Sequence, residues 1–178
     1  MTQPLPNFRL PLNYAKEIGD VLGIPKSAII SSSCPIQIVS TGLPILIVPI
    51  VSLDALKKIV VDTNGLKQFL ASLDIDLICA FTQHTIHSNA SVHSRVFAPG
   101  LGITEDPATG SAAGAIGAYL YKNDLVSDHS CKYIYIEQGY QMGRPASLQV
   151  EVEQQDNEVK SILVGGESVT VIEGWVNI

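Results

Sequence analysis

Residues 110–120, Gly-Ser-Ala-Ala-Gly-Ala-Ile-Gly-Ala-Tyr-Leu, constrain the fold more than any other stretch of this chain. They follow Asp106-Pro107, and a proline holds the residue before it in extended backbone, so no helix runs backward through Asp106. A helix therefore begins just after the proline. Thr109 or Ser111 can cap it through a hydroxyl, and Gly110 permits a tight turn that admits a ligand close to the amides. Ala112, Ala113, Ala115, Ile116, Ala118 and Leu120 are helix formers or apolar. Gly114 and Gly117 each cost about 1 kcal/mol against alanine in an exposed helix, so their presence implies a buried helix with close neighbours. Its start offers free N–H groups and a positive dipole end to an anion, with the Asp106 carboxyl alongside.

The rest of the chain supplies what could surround such a helix. Tyr14, Ile18, Val21 and Leu22 recur at helical spacing before Gly23, which predicts an amphipathic helix over residues 12–22 that Pro25 ends. Cys34 to Ser40 and Leu43 to Val51 read as strands flanking a Thr41-Gly42 turn. Ser52 can cap a short helix through Leu56 and Ile59, and Asn64 a second through Leu66, Phe69 and Leu70. Leu77 to Thr82 reads as a buried strand. After the Gly110 helix the period changes to two: Tyr133 to Gln138, Ser147 to Glu153 and Glu158 to Val164 alternate, with Gln155-Asp156-Asn157 as a turn. Last strands are expected around Val169 to Val171 and Trp175 to Ile178, with Gly174 to Ile178 pairing inside the domain or with a second copy. The expectation is one α+β domain over residues 1–178, a curved mixed or antiparallel sheet wrapped around a central helix starting near Ser111.

Charge narrows the function. The chain has 178 residues, of which 46% are hydrophobic and 16% charged, with a formal net charge of −6. Disorder is excluded, and the low charge suits a face turned against a partner. A net negative chain without a Lys/Arg cluster lacks a nucleic-acid footprint. Cys34, Cys79 and Cys131 are far apart and read as reduced thiols. The most apolar window, Leu43 to Leu53, contains Pro44 and Pro49 and is far short of a membrane span. A cytoplasmic protein is expected, without signal peptide or membrane partner.

Few residues invite chemistry. Asp106 either orders its loop by bonding backbone amides or serves as an acid/base group beside the anion site. Ser111 and the amides of Gly110 and Ser111 either cap the helix or hold a carboxylate, with Thr109 a weaker member of the set. Arg144 reads first as a brace to Glu137 or Glu105, and second as a partner for an anionic ligand. His84, His87 and His93 lack accompanying metal ligands and read as a polar loop. Gly65, Gly100 and Gly102 read as turn residues. No nucleophile-elbow, phosphate-loop or dinucleotide glycine pattern occurs.

The segment Glu105-Asp106-Pro107-Ala108-Thr109-Gly110-Ser111-Ala112-Ala113-Gly114 resembles the signature of the PhzF-like phenazine-biosynthesis family, which has the diaminopimelate epimerase fold. Ser40-Thr41-Gly42-Leu43-Pro44, Ser94 to Gly102 and Gln138-Gly139-Tyr140-Gln141-Met142-Gly143-Arg144-Pro145 fit the same family in the same order. The resemblance implies cofactor-independent proton transfer on a small carboxylate-bearing metabolite, with no metal, flavin or pyridoxal phosphate. Asp106 and Ser111 would be catalytic, and Thr109, Gly110 and Ser111 would bind substrate. Family members have two similar halves around a cleft, and this chain resembles the C-terminal half only. The opposing acid and a helix-start histidine would belong to the absent N-terminal half. The chain is then expected to be one subunit of a split enzyme, a non-catalytic anion-binding remnant that pairs with itself, or a piece of a longer enzyme.

Overall fold

Pro-Ile-Leu-Ile-Val-Pro, residues 44–49, cannot face water on either side, and the fold gives it apolar neighbours on both. The computed structural model describes residues 1–30, 34–126, 133–155 and 158–176. Its strands are β1 (Thr2–Gln3), β2 (Asn7–Phe8), β3 (Gln37–Ser40), β4 (Pro44–Pro49), β5 (Leu77–Thr82), β6 (Val92–Ala98), β7 (Ile103–Asp106), β8 (Tyr133–Gln138), β9 (Ala146–Gln155) and β10 (Glu158–Gly166). The helices are α1 (Ala15–Leu22), α2 (Leu53–Lys57), α3 (Thr63–Ser72) and α4 (Gly110–Lys122). All ten strands join one sheet, in the order β1-β10-β9-β8-β6-β5-β4-β3-β2, with β7 on β6. The pairs β4–β5 and β6–β8 are parallel and the others antiparallel.

Strand period sorts the core into two. Ile45, Ile47, Cys79 and Phe81 point to the α4 side, whereas Leu46, Val48, Ile78 and Ala80 point to the side covered by α1, α2 and α3. α4 touches β9 and β10 near one end of the sheet and β3 and β4 near the other, so the sheet curls around it. The expected α+β architecture with a central helix is the one observed.

The glycines of α4 make this approach possible. A Cβ on Gly117 would lie 2.5 Å from Val150 Cγ1, and one on Gly114 would lie 3.0 Å from both Gln3 Cγ and Thr41 Oγ1. Tyr119 is buried in the same helix and donates its hydroxyl to the Pro35 carbonyl at 2.7 Å, edge-on to Phe81.

Several local expectations differ from the structure. α1 starts at Ala15 rather than residue 12. Asp62, not Asn64, caps α3 by accepting from the Gly65 N–H at 3.1 Å, so Gly65 lies inside the helix and not in a turn. The Ser52 cap on α2 is present, accepting from the Ala55 N–H. The strands expected after Gly166 do not form among residues 167–176, where Val169, Val171, Ile172, Trp175 and Val176 are all exposed. The physical reason lies at the sheet edge. β1 already pairs with β10 at Leu163 and Ile162, and β9 holds the other side, so the tail cannot fold straight back onto that stretch of β10. Cys131, Asp156, Asn157 and Ile178 lie outside the described residues. Among the described residues no helix is long and apolar enough to cross a membrane.

Candidate active site

β7 ends at Asp106, which pairs with Val96 of β6, and Pro107 then turns the chain toward α4. Adjacent residues of a strand face opposite sides, so Glu105 and Asp106 enter different surroundings.

Asp106 is half-buried on the α4 side. The Thr109 hydroxyl donates to its Oδ2 at 2.6 Å. Gln138, at the end of β8, donates through Nε2 to Thr109 Oγ1 at 3.0 Å and to the Asp106 carbonyl at 2.6 Å. The Thr109 N–H points to Gln138 Oε1 at 3.4 Å. Thr109 occupies the N-cap position of α4 but makes no side-chain cap bond, which corrects the capping role expected for it. Its hydroxyl is instead engaged by Gln138 Nε2 on one side and Asp106 Oδ2 on the other. The first bond of the helix runs from the Ala113 N–H to the Thr109 carbonyl, leaving the N–H groups of Gly110, Ser111 and Ala112 without intrahelical acceptors. Gly110 and Ser111 are half-buried at this end. The structure therefore brings Asp106, Thr109, Gly110 and Ser111 together, and an anion at the α4 start would sit beside the Asp106 carboxylate.

Gly139 locks the far side of the loop. Its φ is +81°, and a Cβ there would collide with the Arg144 carbonyl and lie 2.7 Å from the Pro107 carbonyl. Only glycine lets β8 end directly against the Asp-Pro turn.

Glu105 faces the other way. Arg95 of β6 is 7% exposed and grips it with two 2.8 Å bonds, Nε to Oε1 and Nη2 to Oε2. The remaining Arg95 nitrogen donates to the Leu56 and Ile59 carbonyls at the end of α2, at 3.1 and 2.9 Å. A buried bidentate fork whose third nitrogen is tied to two backbone carbonyls is a structural brace. The brace expected of Arg144 is thus supplied by Arg95, and Arg144 is exposed.

The other carboxylate proposed for Arg144 is also held elsewhere. Glu137 accepts the Ile86 N–H at 2.9 Å, the His87 N–H at 2.6 Å and His93 Nδ1 at 2.8 Å. Burial raises its pKa, but the bonds from Ile86, His93 and His87 outweigh burial and hold it below the ordinary carboxylate value. The Gln141 amide nitrogen lies 3.1 Å from His93 Nε2, and the Tyr140 ring sits 5.2 Å from the imidazole. His84 and His87 do lie in a loop, whereas His93 is a fully buried strand residue, which corrects the polar-loop reading. Among the described residues no three His, Cys, Asp or Glu side chains converge as a metal-binding set.

Sequence reasoning missed Gln138, Arg95 and the His93–Glu137 pair. The signal for Gln138 was present in Gln138-Gly139, a polar residue ending an apolar strand before an obligatory glycine. One buried hydroxyl remains unbonded among the described residues, that of Thr41, which packs against Gly114 of α4.

The sequence profile of the PhzC-PhzF family, phenazine biosynthesis-like proteins, matches residues 1–174. The chain is 34% identical over 166 residues to the uncharacterized isomerase YfhB of Bacillus subtilis (strain 168), covering 93% of this chain and 55% of that protein. It is 29% identical over 176 residues to the trans-2,3-dihydro-3-hydroxyanthranilate isomerase of Pseudomonas fluorescens, covering 99% of this chain and 58% of that one. The crystal structure of the Bacillus anthracis phenazine biosynthesis protein of the PhzF family superposes with a TM-score of 0.83 at 26% identity, covering 100% of this chain and 60% of that one. The chain thus spans about half the length of the curated relatives it matches.

Proposed function

We propose, from the premise that this chain belongs to the PhzC-PhzF family of phenazine biosynthesis-like proteins, that it carries one wall of an isomerase site for cofactor-independent proton transfer on a small carboxylate-bearing metabolite. Asp106 gives or takes the proton, at a carbon next to an unsaturated or carbonyl system. The amides of Gly110 and Ser111, with the Ser111 hydroxyl, hold the substrate carboxylate at the positive end of α4. Thr109 serves this site by holding Asp106. The observation that carries the reading is the 2.6 Å bond between Asp106 Oδ2 and the hydroxyl of the α4 N-cap residue, which fixes an acid beside an anion-binding helix start.

The opposite wall, with a second acid and a helix-start histidine, belongs in this proposal to a separate N-terminal half, and residues 1–178 are one domain equivalent to a C-terminal half. Coverage of 55 to 60% of the matched proteins supports that assignment. Proton transfer by a placed carboxyl group contributes about 10²–10⁴-fold, and only against a substrate held in register, so this chain alone is expected to be inactive. A cytoplasmic setting is part of the proposal, supported by Cys34 and Cys79 as buried thiols.

The experiment mixes purified N-terminal half with this chain in D2O. It follows deuterium entry into trans-2,3-dihydro-3-hydroxyanthranilate, the compound named for the Pseudomonas relative, and into other small unsaturated carboxylates. Exchange in the mixture and in neither half alone is expected. A complex that forms without exchanging any of them would count against the proposal.

A second reading, a self-associating module that binds anions without catalysis, is favoured by the exposed apolar run Val169, Val171, Ile172, Trp175 and Val176. Sedimentation at several concentrations tests it, and a strict monomer would remove it.

A further inference from the structure

We propose that Gln138 is a positioning residue for Asp106: acting through Thr109, it engages Oδ2 and holds the carboxyl in one orientation, with Oδ1 the favoured oxygen for proton exchange. The proposal rests on reading Asp106 as an acid/base group.

Gln138 is 1% exposed and directs its whole amide at the motif loop. A primary amide has two hydrogens on nitrogen, and here one goes to the Asp106 carbonyl at 2.6 Å and the other to Thr109 Oγ1 at 3.0 Å. The Asp106 carbonyl can only accept, which fixes the amide orientation. Turned over, the amide would set Oε1 against that carbonyl oxygen and lose its match with the Thr109 N–H as well. Thr109 Oγ1 must therefore accept from Gln138. A hydroxyl carries a single hydrogen, and the remaining acceptor in reach is Asp106 Oδ2, 2.6 Å away. The bonds point one way, from Gln138 through Thr109 to Asp106.

Direction has a chemical consequence. An Oδ2 already facing an incoming O–H cannot also present a proton along that line, which leaves it one lone-pair direction against two on Oδ1 and favours Oδ1 for proton exchange with a ligand. The same bond restricts rotation of the carboxylate, which favours near-attack geometry. Burial makes the arrangement all-or-none, because a half-satisfied polar network costs more than an apolar one.

The test reads Asp106 without any substrate. In the full chain, three-bond NMR couplings from Asp106 Cγ to its backbone nitrogen and carbonyl carbon report the χ1 rotamer. Single-rotamer couplings are expected in the parent and in Thr109→Ser, which keeps the hydroxyl. Loss of the single rotamer, with couplings averaged, is expected in Thr109→Val and Gln138→Leu. Gln138→Leu strips a partner from a buried carbonyl and can fail to fold; Thr109→Val is close to isosteric and then carries the test, its fold checked by methyl chemical-shift dispersion. Single-rotamer couplings in folded Thr109→Val would overturn the proposal. Activity of Asp106→Asn bears on the acid/base reading alone, and the couplings bear on positioning alone, so the two failures are distinguishable.

Discussion

Arg95 and Glu105 meet through two parallel hydrogen bonds, both 2.8 Å, and the backbone they fix is that of the residue before Asp106. The guanidinium also ties β6 to the end of α2 through the Leu56 and Ile59 carbonyls, so one side chain joins three elements beneath the site.

Breaking this pair from one side leaves a buried charge without its partner, which costs about 3–5 kcal/mol. Glu105→Leu is therefore expected to lower stability by about that amount in urea titration. The double variant Arg95→Met with Glu105→Leu is expected to lose less than the sum of the single changes, because the two side chains share one network. Additive losses would show that the brace contributes nothing as a pair.

Gly117→Ala is expected to destabilise although alanine is the better helix former by about 1 kcal/mol. The new methyl would meet Val150 Cγ1 at 2.5 Å inside a filled core, and overpacking of this kind costs about 1–3 kcal/mol. Adding Val150→Ala is expected to restore part of the loss in thermal melts.

Acid should weaken the β6–β8 junction in a defined direction. Glu137 titrates below its ordinary value of 4.5 in the fold, so it binds a proton more readily when unfolded. Its contribution is present above the unfolded pKa and disappears as pH falls through the lower folded one. A urea midpoint followed from neutrality down through the carboxylate range should fall more steeply for the parent than for Glu137→Gln. Equal slopes would mean that the Ile86, His87 and His93 bonds leave Glu137 energetically unchanged.

The C-terminal segment should behave as a solvated strand without a sheet. Trp175 is the single tryptophan of the chain and is fully exposed, so its emission should lie at the long-wavelength limit and be quenched freely by acrylamide in dilute solution. Trp175→Ala is expected to change stability by less than about 0.5 kcal/mol. A blue-shifted emission in a dilute monomer would contradict the exposed placement.

The central helix and most strands were legible because their signals are local. Leu77–Thr82 and Tyr133–Gln138 fall where apolar period and flanking breakers put them, and the all-round smallness of residues 110–120 required a surrounding sheet. β6 does not read as a strand from sequence because Val-His-Ser-Arg-Val-Phe-Ala carries a histidine and an arginine at alternate positions. Both are buried only because Glu137 and Glu105, on other strands, meet them. Thr109 looks like a helix cap for a related reason: besides Asp106, its hydroxyl is held by Gln138, 29 residues further along the chain. The tail after Gly166 has strand composition, but the stretch of β10 it would fold back onto, Ile162 and Leu163, is taken by β1, from the opposite end of the sequence.

Deuterium exchange by Asp106→Asn in the reconstituted pair of halves tests the central claim most directly. The substitution keeps the shape of the side chain and an oxygen for the Thr109 hydroxyl while removing the exchangeable acid. A fall of about 10²–10⁴-fold in the exchange rate, with the complex still forming, is the expected result. Exchange at the parent rate in a folded Asp106→Asn complex would contradict the assignment of Asp106 as the acid/base group.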